Sequence, residues 1–289
     1  MIPDIWALSE QTASQESTPS ERTIFVLGER KSGKSTLVNN FISQSSNTEE
    51  PRPTVALEYS YARAPLGINS TRDLGYIYEL GGGRLLANLV SVPMTAETLS
   101  ELMIVIVIDL SHPYKVIDSL LYWLQVVRNR INEILSHLPP KEAQKYQKRI
   151  AKKWNKHEDS ARLEPIPVPV YVAATKYDVF CDQESENRKW MARALRYFCH
   201  KNGISLFYWS ARDQKLVGAL RMVLSYHLFG SPIRKQSQKD HAQAILVSSG
   251  EDSFQSIGPP PNVSKGSHGN QDEEWMRAIQ QSFPKPNRK

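Results

Sequence analysis

The chain has 289 residues, 40% of them hydrophobic, and a formal net charge of +6. That length suits one α/β domain with extensions, and the apolar share is ordinary for a packed core. No run approaches the ~18 apolar residues of a membrane span. The start, Met1-Ile2-Pro3-Asp4-Ile5-Trp6, has neither the basic flank nor the apolar stretch of a secretory signal. Cys181 and Cys199 are too few for a disulfide framework and suit no metal spacing, as expected of thiols in a reducing cytosol.

Residues 1–20 are polar apart from Ile5, Trp6 and Leu8, which read either as a small anchor or as part of a frayed tail. The apolar run Thr23-Ile24-Phe25-Val26-Leu27 predicts a strand, and Ser35 to Ile42 predicts a helix. Between them lies Gly28-Glu29-Arg30-Lys31-Ser32-Gly33-Lys34-Ser35, a full match to the phosphate-binding loop G-x-x-x-x-G-K-[ST], with Thr36 next in the helix. Gly28 and Gly33 permit backbone shapes that turn N–H groups toward phosphate oxygens. Lys34 is expected to reach the β/γ-phosphates and the Ser35 hydroxyl to ligate Mg²⁺. The helix adds its positive N-terminal end. Strand, loop and helix is the context this motif requires.

Val55, Leu57, Tyr59 and Tyr61 alternate with Ala56, Glu58, Ser60 and Ala62, the period of a half-buried strand. Asp73 to Leu80 reads as a strand able to pair beside it. The continuous run Leu102 to Ile108 predicts a strand buried on both faces, and Val168 to Ala174 and Ile204 to Trp209 repeat that type more weakly. Helical patterns fall near 114–138, 184–202 and 213–228. This alternation over residues 21–230 predicts an α/β fold, a mostly parallel sheet with helices on both faces and right-handed crossovers.

The Lys- and Pro-rich stretch 139–167 reads as an inserted helix or loop on the domain surface. Much of the excess positive charge sits there, on Lys141, Lys145, Lys148, Arg149, Lys152, Lys153 and Lys156. A solvated helix face is the plainer reading, with phosphate or acidic-protein binding as the alternative. Residues 231–289 form a Ser-, Gln-, Lys- and Pro-rich tail resembling a linker. It is interrupted by the strand-like Ala244-Ile245-Leu246-Val247 and by Trp275, Met276, Ile279 and Phe283 at helical spacing. So short a helix is marginal alone in water. The stripe must pack back on the domain or bind a partner, and a partner is the preferred reading, with Phe254 as a similar anchor.

Three further stretches bear on the nucleotide. Thr175-Lys176-Tyr177-Asp178 resembles the N/T-K-x-D guanine motif of Ras-like GTPases. A carboxylate there accepts from guanine N1–H and the exocyclic amine, a pair of donors adenine does not offer. The Lys176 stem is expected to pack along the ring. Ser210-Ala211-Arg212 resembles the S-A-x loop, whose backbone contacts the base. Thr54 occupies the place of a switch threonine that closes over Mg²⁺ and the γ-phosphate. The expected ligand is thus a guanine nucleotide with Mg²⁺.

The departures matter more. Where Ras-like enzymes carry D-x-x-G and then a water-positioning glutamine, this chain has Glu79-Leu80-Gly81-Gly82-Gly83. Glu79 is one methylene longer than aspartate and is expected to hold a metal-bound water at best. Gly83 has no side chain with which to orient a nucleophile. Asp109 is either a structural residue, the preferred reading, or a Mg²⁺ carboxylate of the Walker B type. No catalytic residue is assigned, and slow GTP hydrolysis is the most expected of the chain alone.

Taken with Arg52-Pro53-Thr54-Val55-Ala56-Leu57-Glu58-Tyr59, Val107-Ile108-Asp109-Leu110-Ser111, Pro167-Val168-Pro169, Lys176-Tyr177-Asp178-Val179-Phe180 and Asp252-Ser253-Phe254, these features resemble the dynein light intermediate chains, most closely the ciliary type. The resemblance spans about Trp6 to Phe283. It implies a Ras-like P-loop domain serving as a non-catalytic subunit of a cytoplasmic dynein complex. The implied partners are the dynein heavy chain, on whose tail it docks, and other dynein subunits, with microtubules reached indirectly. No nucleic acid and no membrane insertion are implied. The implied place is the cytoplasm and cytoskeleton, at the cilium base and axoneme, in retrograde intraflagellar transport and cilium assembly. The long adaptor-binding C-terminal region of the cytosolic relatives is not recognised here, which favours the ciliary type. The alternative is an active Ras-like GTPase switch.

Overall fold

The computed structural model describes residues 22–43, 52–64, 74–233, 236–261 and 270–286. A seven-stranded sheet runs through the middle in the order β2-β3-β1-β4-β5-β6-β7. Its strands are β1 (Thr23–Gly28), β2 (Leu57–Arg63), β3 (Leu74–Leu80), β4 (Leu102–Asp109), β5 (Val170–Thr175), β6 (Ser205–Tyr208) and β7 (Leu246–Val247). The five central strands are parallel, while β2 and β7 run antiparallel at the two edges. The predicted strands all form. The long run at β4 is buried from Leu102 through Ile108, as a strand covered on both faces must be.

Helices cover both faces. On one lie α1 (Lys34–Ile42) and α6 (Gln214–Phe229), packed over Ile24, Val26, Val105 and Val107. On the other lie α2 (Pro113–His137) and α5 (Ser185–Lys201), the latter preceded by the short α4 (Tyr177–Phe180), over Phe25, Leu27, Ile104 and Ile106. In α2, Val116, Leu120, Trp123, Val127, Ile131 and Ile134 recur at three- and four-residue steps and are buried as one stripe. Pro113 starts that helix, and extended Leu138 ends it before Pro139 and Pro140. In α6 the Asp213 carboxylate accepts from Lys215 N and Leu216 N, and Gly230 at φ 73° closes the C-terminus. The insertion forms α3 (Pro140–Trp154), outside the sheet as expected, but pinned by buried Tyr146 and Trp154.

The tail corrects the sequence reading. Residues 231–289 were expected to be a linker with partner-binding segments outside a domain ending near 230. Instead β7 extends the sheet, pairing Leu206 with Val247 and Phe207 with Leu246. The segments α7 (Phe254–Ile257) and α8 (Gln271–Ser282) lie on α5. Trp275 is 1% exposed, and Ile279 and Phe283 are buried with it in the main core, with Met276 packed against them. Tyr197 of α5 meets both Phe254 and Trp275 ring to ring. The apolar stripe found its groove on its own domain, because α5 presents Tyr197 and Phe198 toward it. Polar ties reinforce this docking. Asp252, 3% exposed, takes two 2.7 Å bonds from the Arg196 guanidinium. Tyr197 donates to Asp272 at 2.8 Å, and Lys201 donates to the same carboxylate at 2.7 Å. The expected N-terminal anchor Ile5, Trp6 and Leu8 lies outside the described residues, as does most of the Gly/Ser/Asn stretch near 264–270.

A half-buried histidine ties the sheet's lower end together. His227 Nε2 donates toward the carbonyls of Thr23 and Glu101, at 3.2 and 3.1 Å. Burial, with the Arg22 guanidinium adding to it, lowers this imidazole from 6.5 to about 4. The unfolded chain therefore takes up a proton that the folded chain refuses. The stability held in the neutral ring is complete above about pH 6.5 and is lost as pH falls toward 4, by about 2 kcal/mol at pH 5. Thermal melts are expected to fall between pH 7 and pH 5, less steeply in His227→Gln, which keeps an N–H donor and cannot titrate. Parallel slopes in the two proteins would contradict this account.

Candidate functional site

The C-terminal end of β1 delivers the chain into the phosphate loop. Gly28, at φ 151°, backs onto β4 so closely that a Cβ would stand 2.3 Å from the Val107 carbonyl oxygen. Gly33 sits at φ 93° as the residue before α1. Both positions require glycine for a physical reason, backbone contact at the first and positive φ at the second. The loop that results points toward the N-terminus of α1, whose first turn carries Lys34, Ser35 and half-buried Thr36.

Lys34 is 6% exposed and folds back across the loop, donating to Gly28 O at 3.2 Å and Glu29 O at 2.7 Å. Burial pushes its ammonium below the usual lysine range, against the pull of Glu79 and Glu29. It has no ion pair among the described residues, so a buried cation is held by neutral carbonyls at the N-terminus of α1. Those features fit a phosphate.

Next to it three oxygens converge. Ser35 Oγ donates to Glu79 Oε1 at 2.6 Å and lies 3.5 Å from Thr54 Oγ1. Thr54 donates in turn to Glu58 at 2.9 Å. Burial raises the Glu79 carboxyl above the usual range, against the hydrogen bond from Ser35 and the charge of Lys34. A hydroxyl that gives its proton to a carboxylate keeps its lone pairs free. Ser35 and Thr54 therefore suit a Mg²⁺ ligand set, with Glu79 orienting Ser35 from behind or holding a metal-bound water. The cation would neutralise phosphate charge there.

The glycine run after Glu79 is shaped by contact. A Cβ on Gly81 would stand 2.3 Å from the Thr54 carbonyl oxygen, and Gly81 N donates to Ala56 O at 2.5 Å. Gly83 is at φ 61°, and a Cβ there would stand 3.0 Å from Arg30 N. A glutamine at Gly83 would be strained and crowded against the phosphate loop.

On the base side, β5 and β6 end together. Thr175 is fully buried, and its Oγ1 lies 2.6 Å from Ser32 O and 3.0 Å from Ile108 O. It fastens the base motif to the phosphate loop and does not itself face a base. Lys176, at φ 58°, places its ammonium 2.5 Å from Asp109 Oδ2, so its charged end lies on Asp109. Burial works to raise the Asp109 carboxyl, but Lys176 and Ser111 prevail and hold it below the usual range. Asp109 thus acts as the structural partner of Lys176, the preferred of the two roles read from sequence. Asp178 accepts from Ser210 Oγ at 2.7 Å and pairs with Arg212 at 3.2 Å. Arg212 is largely exposed, so guanine donors can take its place on the carboxylate. Ala211 follows Ser210 at the rim, half-buried. The predicted residues therefore assemble at one end of the sheet in two sub-sites, joined by Thr175.

Sequence reasoning missed Arg84. Its guanidinium bonds Glu29 in the phosphate loop and Asp118 on α2, both at 2.5 Å, and lies 4.3 Å from the centre of the Tyr122 ring. It fastens the segment after β3 to the loop. No local motif marks such a clamp, whose partners lie 55 and 34 positions away. Also unforeseen was the group His157, Asp159 and His200. Most of its atoms are already engaged: Asp159 Oδ2 accepts from His200 Nε2 and Phe254 N, and His157 Nε2 meets Asp252 O at 3.1 Å, while His200 Nδ1 has no hydrogen-bond partner among the described residues. Burial lowers the His200 imidazole against the pull of Asp159. The group reads as a fastening for the tail.

Among the described residues no helix is long and apolar enough to cross a membrane. The family model for the dynein light intermediate chain matches residues 4–168 and 164–259. The chain is 32% identical over 273 residues to the cytoplasmic dynein 2 light intermediate chain 1 of Homo sapiens, covering 92% of this chain and 77% of that one. It is 31% identical over 283 residues to its counterpart in Danio rerio, covering 95% and 78%. A crystal structure of the conserved domain of a dynein light intermediate chain superposes with a TM-score of 0.60 at 17% identity, covering 92% of each chain, and so shares the fold. The chain belongs to the dynein light intermediate chain family.

Proposed function

We propose that this chain is a non-catalytic subunit of a ciliary cytoplasmic dynein, docking on the heavy-chain tail in support of retrograde intraflagellar transport and cilium assembly. The names of its dynein 2 relatives support that complex. One observation carries the non-catalytic part. Gly83, at φ 61° against Arg30, leaves no side chain where a nucleophilic water must be oriented. The phosphate, metal and base groups remain, so the site holds a guanine nucleotide with Mg²⁺ as a structural ligand and turns it over poorly.

The test is co-purification from ciliated cells. Full-length chain is expected to bring down a dynein heavy chain, and variants that no longer hold nucleotide but stay folded should still do so. Asp178→Asn is one such variant. It removes a charge that accepts two guanine donors, and guanine-nucleotide affinity should fall by roughly 10²-fold or more. Isothermal titration measures that fall. Association that tracks nucleotide state, lost in Asp178→Asn and restored by excess GTP, would favour a switch over a scaffold.

A further inference from the structure

The far end of the molecule carries a feature that the nucleotide site does not use. Helix α3 presents six basic side chains, Lys141, Lys145, Lys148, Arg149, Lys152 and Lys153, against the single acid Glu142. All six are exposed. The spacing 141, 145, 148, 149, 152 sets five of them within about 100° of arc, opposite buried Tyr146 and Trp154. Successive cations rise about one per turn, near 5.4 Å apart. Lys141, Lys145, Lys148 and Lys152 have no ion pair among the described residues. Like charges at four-residue spacing repel, and Glu142, at one edge of the face, is the only acid of the helix to offset them. Almost the whole net charge of +6 is matched by this one helix.

Its position separates it from the nucleotide. Trp154 packs under Gly203, just before β6, and Tyr146 feels Glu101, just before β4. Both mark the ends where the parallel strands begin, whereas the phosphate loop lies where β1 ends.

We propose that the outer face of α3 docks an acidic segment of a partner protein. Charge complementarity names the partner's chemistry: carboxylates spaced about one per turn, or at alternate positions of an extended strand. Five of the six cations are lysines, point charges, where phosphate recognition favours the bidentate fork of arginine. The aromatic side chains of α3, Tyr146 and Trp154, are buried beneath it. None is left on the outer face to stack on a base or to enter a bilayer interface.

The experiment uses the full chain and a labelled peptide of about ten glutamates in buffer of about 50 mM salt, where the Debye length exceeds ~10 Å. Wild type is expected to bind, with affinity falling as salt rises. The triple variant Lys145→Glu, Lys148→Glu, Lys152→Glu should weaken binding at least about tenfold, and the matching glutamine triple by less. A control of equal net charge, Lys115→Glu, Lys215→Glu, Lys285→Glu, should stay within about twofold of wild type. Melting curves establish that each variant is folded, and the glutamine triple carries the test if the glutamate triple is not. The proposal is overturned if wild type ignores the peptide, if the control weakens it equally, or if phosphatidylserine vesicles or duplex DNA bind through this face while the peptide does not.

Discussion

Trp275→Ala is expected to destabilise the chain by about 3–5 kcal/mol, lowering the melting temperature by roughly 10 °C. The indole is fully buried between α8 and Tyr197 of α5, in the same core as Ile257, Ile279 and Phe283. Removing it leaves a cavity that this packed layer cannot close. Asp252→Ala is expected to act comparably, by about 3–5 kcal/mol, because it strands the Arg196 guanidinium in a site only 7% exposed. Truncation after Gly230 removes β7, α7 and α8 together. It should leave an aggregating body, with β6 unpaired along Leu206–Phe207 and α5 stripped of its cover. A truncated domain that melts cooperatively near the full-length temperature would show that the tail rests on the body without supporting it.

Lys34→Ala should abolish nucleotide-dependent stabilisation while changing the ligand-free melt little. In the free protein Lys34 bonds two backbone carbonyls, Gly28 O and Glu29 O, and burial already disfavours its charge. Its loss there is expected to be worth about 1 kcal/mol. With nucleotide the balance is expected to differ, since the ammonium would then meet phosphate. A ligand at a hundredfold excess over its Kd stabilises the fold by about 2.7 kcal/mol, a rise of roughly 5–10 °C for a domain of this size. Wild type should show that rise with GDP and Mg²⁺, and Lys34→Ala should not. A variant that gains as much as wild type would mean that the phosphates lie elsewhere. A wild type that gains nothing would mean that the loop has lost its ligand.

The sheet was legible from sequence because strands buried on both faces must be continuously apolar, as Leu102 to Ile108 are. The phosphate loop was legible because its geometry is local: glycine positions, a lysine and a hydroxyl within eight residues. The two sub-sites could be paired because each follows a strand of one parallel sheet. The tail was misread for an equally physical reason. An amphipathic stripe states that it must be covered and says nothing about what covers it. The groove that receives Trp275 is built from α5, some 80 residues earlier, and the Arg196–Asp252 pair joins positions 56 apart. Membership of the guanine motif predicts a nucleotide-binding role for Thr175, whereas its hydroxyl is turned inward to Ser32 and Ile108. Arg84 follows Gly83 directly, yet nothing local links it to Glu29 and Asp118.

The claim that this dynein-family chain carries a nucleotide site without working as an enzyme is tested most directly by single-turnover hydrolysis on purified full-length protein loaded with GTP and Mg²⁺. The account predicts a guanine nucleotide in the perchloric extract and a rate at or below the intrinsic Ras scale of roughly 10⁻⁴ s⁻¹, because Gly83 orients no water. Unstimulated turnover on the order of 1 s⁻¹ would contradict it, and extracted ATP would contradict the reading of Asp178 as a guanine acceptor.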